Sequence, residues 1–173
     1  MSELVELLDR AFLSNSIPSE RELLRIAGNE DPGKEYLRKE LLGKSQAQVL
    51  NLLRSGTLGN GSMLTEELEL AEPVGLQYYL HPFLVHFATQ VRDDSRVLDD
   101  ETPYFLFAHL RNIVAHRGAN VFTRAQWTAL ATFVGEMQSA IATLSLKDAI
   151  WLEDVSQVLH ELDNALRTAG PSA

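Results

Sequence analysis

The sequence predicts an all-α protein: a single-domain, multi-helix bundle that ends in an antiparallel helical hairpin. Three observations predict it. Apolar residues recur at spacings of three and four through most of the chain, the period of amphipathic helices. Strand signals are nearly absent, with no sustained apolar–polar alternation, and the Asn60-Gly61 pair falls inside a glycine-rich stretch. Helix-start signals recur ahead of apolar runs, at Ser19-Glu20-Arg21-Glu22, Ser45 and Thr123-Arg124-Ala125-Gln126.

Taken in order, Leu4, Leu7, Leu8, Ala11 and Phe12 form one stripe, closed by Ser14-Asn15-Ser16-Ile17-Pro18. The Ser19–Glu22 capping box opens a short helix that should end at Gly28. Asp31-Pro32 starts a third helix running to Gly43, with Tyr36, Leu37, Leu41 and Leu42 apolar, and Ser45 caps a fourth to about Arg54. Residues 55–62 contain three glycines and read as a loop. Leu76, Tyr79, Leu80, Phe83, Leu84 and Phe87 mark the next helix. Pro82 removes a backbone donor there, so the helix should kink or begin only at about Pro82. Thr102-Pro103 puts proline at a first helical position, and the residues that follow are apolar nearly all round, as expected of the central core helix. Thr123 opens a long helix through Trp127, Leu130, Met137, Ile141 and Leu144. Ser145 is the expected cap of the last one, whose Leu152, Val155, Leu159, Leu162 and Leu166 should face the preceding helix across a short connection, making the hairpin 123–168; Gly170-Pro171 ends it.

At 173 residues the chain suits one domain, 1–173, large enough to bury a core unaided. It has no cysteine, so thiol chemistry, disulfides and Cys-ligated metals are excluded. No basic n-region opens the sequence and no apolar run approaches a membrane span, so a soluble, cytoplasmic protein with no membrane contact is expected. The net charge is −9. Residues 61–110 hold 9 acids and 2 bases, a balance of −7, whereas residues 111–140 hold 1 acid and 3 bases, a balance of +2. A field of that sign repels phosphate backbones and attracts basic partners. A solvated acidic surface that serves solubility is the plainer alternative.

Chemistry-bearing sets are few. His81 and His86 are five residues apart, about 140° around a helix, the wrong geometry for one metal. His109 and His116 share a face but have no carboxylate at i±4. No nucleophile elbow and no phosphate loop is present, and no cofactor is implied. The acids at Asp93, Asp94, Asp99, Asp100 and Glu101 gather around one turn with Arg96 between them.

Arg111-Asn112-Ile113-Val114-Ala115-His116 resembles the Arg-x4-His signature of HEPN-type ribonucleases. That resemblance implies a dimeric enzyme in which His116 moves the ribose proton, Arg111 steadies phosphate charge and Asn112 orients one of them. The other reading is a helix end closed by Gly118, where cations complement the helix dipole. A second resemblance covers about residues 34–140. Leu42-Gly43-Lys44, the stretch from Glu72 through Tyr78-Tyr79-Leu80 to Phe83-Leu84, Phe105-x-Phe107-x-His109-Leu110 and Phe122-Thr123-x-x-Gln126 are similar to the landmarks of a helical bacterial family of unknown function. The chain departs from that family in placing His81 before Pro82, and its last helix has no counterpart there. The resemblance implies that residues 111–119 belong to a variable loop, which argues against an active site in them.

Two functions are therefore expected as alternatives. The first is a non-catalytic binding protein, an immunity- or antitoxin-type partner of a basic bacterial toxin or effector, with Asp93, Asp94, Asp99, Asp100 and Glu101 as contact surface. The second is a HEPN-like dimeric ribonuclease using Arg111, Asn112 and His116.

Overall fold

The computed structural model describes residues 3–24, 32–58, 64, 67–144 and 150–169. Among the described residues are eight α-helices: α1 (Glu3–Phe12), α2 (Glu20–Leu23), α3 (Pro32–Leu41), α4 (Gln46–Ser55), α5 (Pro73–Asp93), α6 (Glu101–Arg117), α7 (Arg124–Ile141) and α8 (Leu152–Ala169). Single 3-10 turns occupy Leu68–Leu70, Ser95–Leu98 and Gly118–Val121. No strand forms among the described residues; one isolated antiparallel bridge joins Leu24 to Ala71.

The expected caps are formed. Ser45 Oγ accepts from the Gln48 N–H at 3.2 Å, and Gln48 returns the bond to the Ser45 N–H at 2.7 Å. Thr123 and Gln126 do the same at 3.3 and 2.9 Å. The Ser19 N–H and hydroxyl both donate to Glu22, which holds that carboxyl below its ordinary range. The α2 helix is shorter than expected, ending at Leu23, because Leu24 turns extended to bridge Ala71; its expected terminus, Gly28, lies outside the described residues.

The central helix is α5, where the sequence pointed to α6. Residues 78–88 of α5 are buried without interruption, and α1, α2, α4 and α7 all pack on it. The α6 helix buries one face only, through Leu106, Phe107, Leu110, Ile113 and Val114. Its other face carries His109, Arg111, Asn112 and His116, and its aromatic-rich start leaves Tyr104 and Phe105 half-buried. Pro103 also falls at the third helical position, since α6 starts at Glu101 after an extended Asp100; proline is tolerated there because first-turn N–H groups have no helical acceptor. The last helix rests more extensively on α6 than on α7, though it packs on both. It begins at Leu152; the cap expected at Ser145 is outside the described residues.

Where α2 crosses α5 the backbones nearly touch. A Cβ at Gly75 would lie 2.6 Å from Leu23 Cα and 3.0 Å from the Glu22 carbonyl oxygen, so only glycine fits. The Glu72 N–H donates to the Leu23 carbonyl at 2.9 Å beside it.

Pro82 neither delays nor ends α5, which begins at Pro73 and is unbroken to Asp93. Proline at 82 withdraws the N–H that the Tyr78 carbonyl would accept, since the helical bond runs from residue i to i−4. The buried Gln46 amide fills that place: its Nε2 donates to Tyr78 O at 2.7 Å and to Phe12 O at 3.0 Å. Its Oε1 accepts from the Ser14 N–H at 2.9 Å. One side chain thus satisfies the proline-freed carbonyl of α5 and the frayed end of α1 from the first turn of α4. Nearby, the buried Tyr79 hydroxyl donates to Leu41 O at 2.6 Å and lies 3.2 Å from Lys44 O, holding the turn at Gly43. Burial pushes the Tyr79 phenol well above its ordinary range.

Gln46→Leu should cost about 2–4 kcal/mol, since buried polar groups left without partners cost about 1–3 kcal/mol each. On a Pro82→Ala background the restored N–H can reach Tyr78 O, and the same substitution should cost about 1 kcal/mol less. Denaturant unfolding of the four proteins in a double-mutant cycle measures this; equal costs in the two backgrounds would break the link between Gln46 and Pro82.

Candidate functional site

The residues of the ribonuclease-like motif lie in the C-terminal half of α6, and each has a structural partner. Arg111 forms an ion pair with Glu161 of α8 and donates to Asn112 Oδ1 through Nη2 at 3.0 Å. Asn112 Nδ2 donates to Glu69 Oε1 at 3.2 Å, and the same carboxylate accepts from His109 Nδ1 at 2.5 Å. His109 stacks on Phe105, ring centroids 6.1 Å apart. Arg117 donates to Ala71 O at 2.6 Å and to the Glu69 carbonyl. The result is a half-buried polar seam that fastens the Leu68–Leu70 turn and α8 to α6. Bonds from Gln157 and from Arg111 hold the Glu161 carboxyl below its ordinary range.

His116 stands apart from this seam. It is exposed, and its Nδ1 donates to Asn112 O of its own helix at 2.8 Å. Within one chain the guanidinium of Arg111 points to α8 and the His116 imidazole to the α6 backbone, so the two are not brought together. The helix ends as the sequence suggests, at Gly118, whose positive φ of 67° favours glycine. Cations there do not serve only their own dipole, because Arg117 spends its donors on the neighbouring turn.

The five acids occupy the corner between α5 and α6. Asp93 is exposed and sits 3.2 Å from Arg92 Nε. Asp94 caps the Ser95–Leu98 turn by accepting from the Arg96 N–H at 3.0 Å. Asp99 accepts from the Trp151 N–H at 2.6 Å and so anchors the start of α8. Asp100 and Glu101 are exposed at the N-terminus of α6. Two of the five therefore shape the corner and three project from it. An apolar cluster adjoins them that the sequence did not single out: Tyr104 and Trp151 lie with ring centroids 5.6 Å apart, and Ile150 is 82% exposed. Next to the last helix in the sequence, Trp151 packs partly against the core while the fold leaves Ile150 at the surface.

The buried histidines form no metal site, and among the described residues no three His, Asp or Glu side chains converge closely enough to hold an ion. His81 Nε2 lies 2.8 Å from Asp9 Oδ1 of α1, while its buried Nδ1 meets no hydrogen-bond partner among the described residues. Burial lowers the His81 pKa, outweighing the nearby Asp9 carboxylate, which raises it. The His86 pKa is lowered by burial and then by the charge of Arg54, and its Nδ1 likewise meets no partner among the described residues. Among the described residues no helix is long and apolar enough to cross a membrane.

Arg111→Ala should destabilise the fold by about 0.5–1 kcal/mol, the range for a half-exposed ion pair, while His116→Ala should stay within about 0.5 kcal/mol of wild type. Thermal unfolding of both variants checks the contrast.

Both buried histidines have folded-state values below the unfolded one, so the unfolded chain binds more protons on acidification. Stability from them is present above the unfolded-state pKa of about 6.5 and is lost as the pH falls through and below it. The slope is at most about 1.4 kcal/mol per pH unit for each group. Unfolding measured between about pH 7.5 and 5.5 should show this loss, and His86→Met should flatten it; an unchanged slope would remove His86 from the account.

No family model, no curated protein and no solved structure matches the chain.

Proposed function

We propose that the protein is a non-catalytic binding protein that recognises a basic protein partner through the α5–α6 corner, in the manner of an immunity or antitoxin protein covering a toxin or effector. The observation that carries this reading is the apolar cluster beside the acids. Asp99 holds the Trp151 N–H, Trp151 packs on Tyr104 beside the exposed Ile150, and the exposed Asp100 and Glu101 follow Asp99 in the chain, with Asp93 exposed at the end of α5. Charged groups at a rim speed encounter with a partner of opposite sign, and aromatic or aliphatic anchors supply most of the lasting affinity.

The placement of two acids supports the same reading. Asp93 and Asp94 stand at the C-terminus of α5, where the helix dipole is negative and a carboxylate costs about 0.3–1 kcal/mol. Asp94 offsets this by capping the Ser95–Leu98 turn, whereas Asp93 makes an exposed contact with Arg92. The corner also sits within residues 61–110, which carry a balance of −7. The catalytic alternative has less behind it: Arg111 is engaged by Glu161 and Asn112, and His116 is turned to its own helix.

Co-expression with the product of the neighbouring gene, followed by co-purification and kinetic binding measurements, tests the proposal. Ile150→Glu should weaken the complex by about tenfold or more without lowering thermal stability, since the side chain is already in water. Replacing Asp93, Asp100 and Glu101 by their amides should slow association by about tenfold at low salt and leave dissociation nearly unchanged. Full affinity in the Ile150→Glu variant would place the contact elsewhere.

A further inference from the structure

A cleft of about 460 Å³ opens between α1, α4 and α5, remote from the α6 seam. Its floor follows one face of α5 through His81, Val85, Thr89 and Arg92, residues spaced by four, four and three. The eleven helical steps from His81 to Arg92 span about 16 Å, so the cleft is a furrow with distinct ends. One end holds the Asp9–His81 pair, joined at 2.8 Å, with the Gln46 amide beside it. The middle is apolar, lined by Val5, Leu50 and Val85. Arg54, from the last turn of α4, and Arg92, from the last turn of α5, line the furrow beyond it.

Those two arginines distinguish the furrow from an ordinary surface groove. In a chain of net charge −9, two cations from different helices line the same cleft. Among the described residues no hydrogen-bond or ion-pair partner meets Arg54, and Arg92 makes one exposed contact, through Nε to Asp93. Each stands at a helix C-terminus, where the dipole steadies a cation without using its N–H donors. The planar donors therefore remain available, and a guanidinium pairs best with a carboxylate or phosphate. Asp9 repels an anion from the other end, where no arginine lines the furrow, whereas the exposed Asp93 meets Arg92 through Nε and leaves its terminal donors and Arg54 to an anion. The size lies within the range of small-ligand pockets, and an apolar lining with a few placed polar groups is their usual composition.

We propose that this furrow binds a small amphipathic organic anion, its carboxylate or phosphate head on Arg54 and Arg92 and its unbranched apolar body over Val5, Leu50 and Val85. The site borders the α5–α6 contact corner through the Arg92–Asp93 contact but does not depend on that reading. Octanoate, octyl phosphate and octylamine, matched in chain and different in head, are the probes. Titrations of the full chain, followed by backbone amide chemical shifts and calorimetry, should show saturable octanoate binding below about 1 mM, with shifts confined to the furrow. Octylamine should bind at least about tenfold more weakly, and the relative affinity of octyl phosphate identifies the preferred head. Arg54→Gln with Arg92→Gln should weaken octanoate by about tenfold with helical circular dichroism unchanged, because both side chains are exposed. Val85→Trp, which fills the apolar middle, should remove binding. Absence of binding by both anions up to about 1 mM, equal binding of octylamine, or undiminished affinity in the double glutamine variant would each overturn the proposal.

Discussion

Proline in the middle of a buried helix leaves one carbonyl without a donor, and here the Gln46 amide supplies it. The bond from Gln46 to Tyr78 O lets α5 run from Pro73 to Asp93 through Pro82 as one rod, and that rod is the surface on which α1, α2, α4 and α7 assemble. The same side chain closes the end of α1 through Phe12 O and the Ser14 N–H. A buried amide with both ends satisfied costs little and rigidifies what it joins, whereas a half-satisfied one would be worse than a leucine. Tyr78 and Tyr79 extend this joint. The Gln46 N–H donates to the Tyr78 hydroxyl at 3.3 Å, and the Tyr79 hydroxyl caps the Gly43 turn, so the connection between α3 and α4 is fixed from α5.

The second organising feature is the polar seam on α6. A helix that carries His109, Arg111, Asn112 and Arg117 cannot be buried all round, and it resolves that constraint by recruiting Glu69 and Glu161 from other segments. The price is geometric: a guanidinium committed to α8 is not available beside an imidazole five residues later. An arrangement that looks like chemistry in the linear sequence is, within one chain, the fastening of a turn and a helix.

Electrostatics divide the remaining surface. The α5–α6 corner gathers acids, Asp93 at a helix end that does not favour it and Asp100 and Glu101 at one that does, beside an exposed isoleucine and two partly covered aromatic rings. One residue back along α5, Arg92 lines the furrow beside α1 together with Arg54 of α4. The two faces differ in sign and in shape, one convex and acidic, the other concave with cations at one end. That contrast makes separate partners for them physically reasonable.

The helical class, the capping boxes at Ser45 and Thr123, the helix end at Gly118 and most of the core stripes were legible in the sequence because they rest on local rules: period, cap chemistry and glycine at positive φ. The positions that misled share a different cause. Pro82 reads as a kink or a late helix start, and the helix starts early at Pro73 because the donor that replaces the Pro82 N–H comes from 36 residues earlier in the chain. The start of α6 reads as central core because nothing in Tyr104 or Phe105 says which neighbour covers it. Asp99 reads as a contact residue, yet it holds the Trp151 N–H 52 residues away. Local sequence determines which helices form and where they stop. Which face is covered, which carboxylate is spent on a backbone amide and which cations line one cleft are decided by contacts between distant segments, and these exist only once the chain has packed.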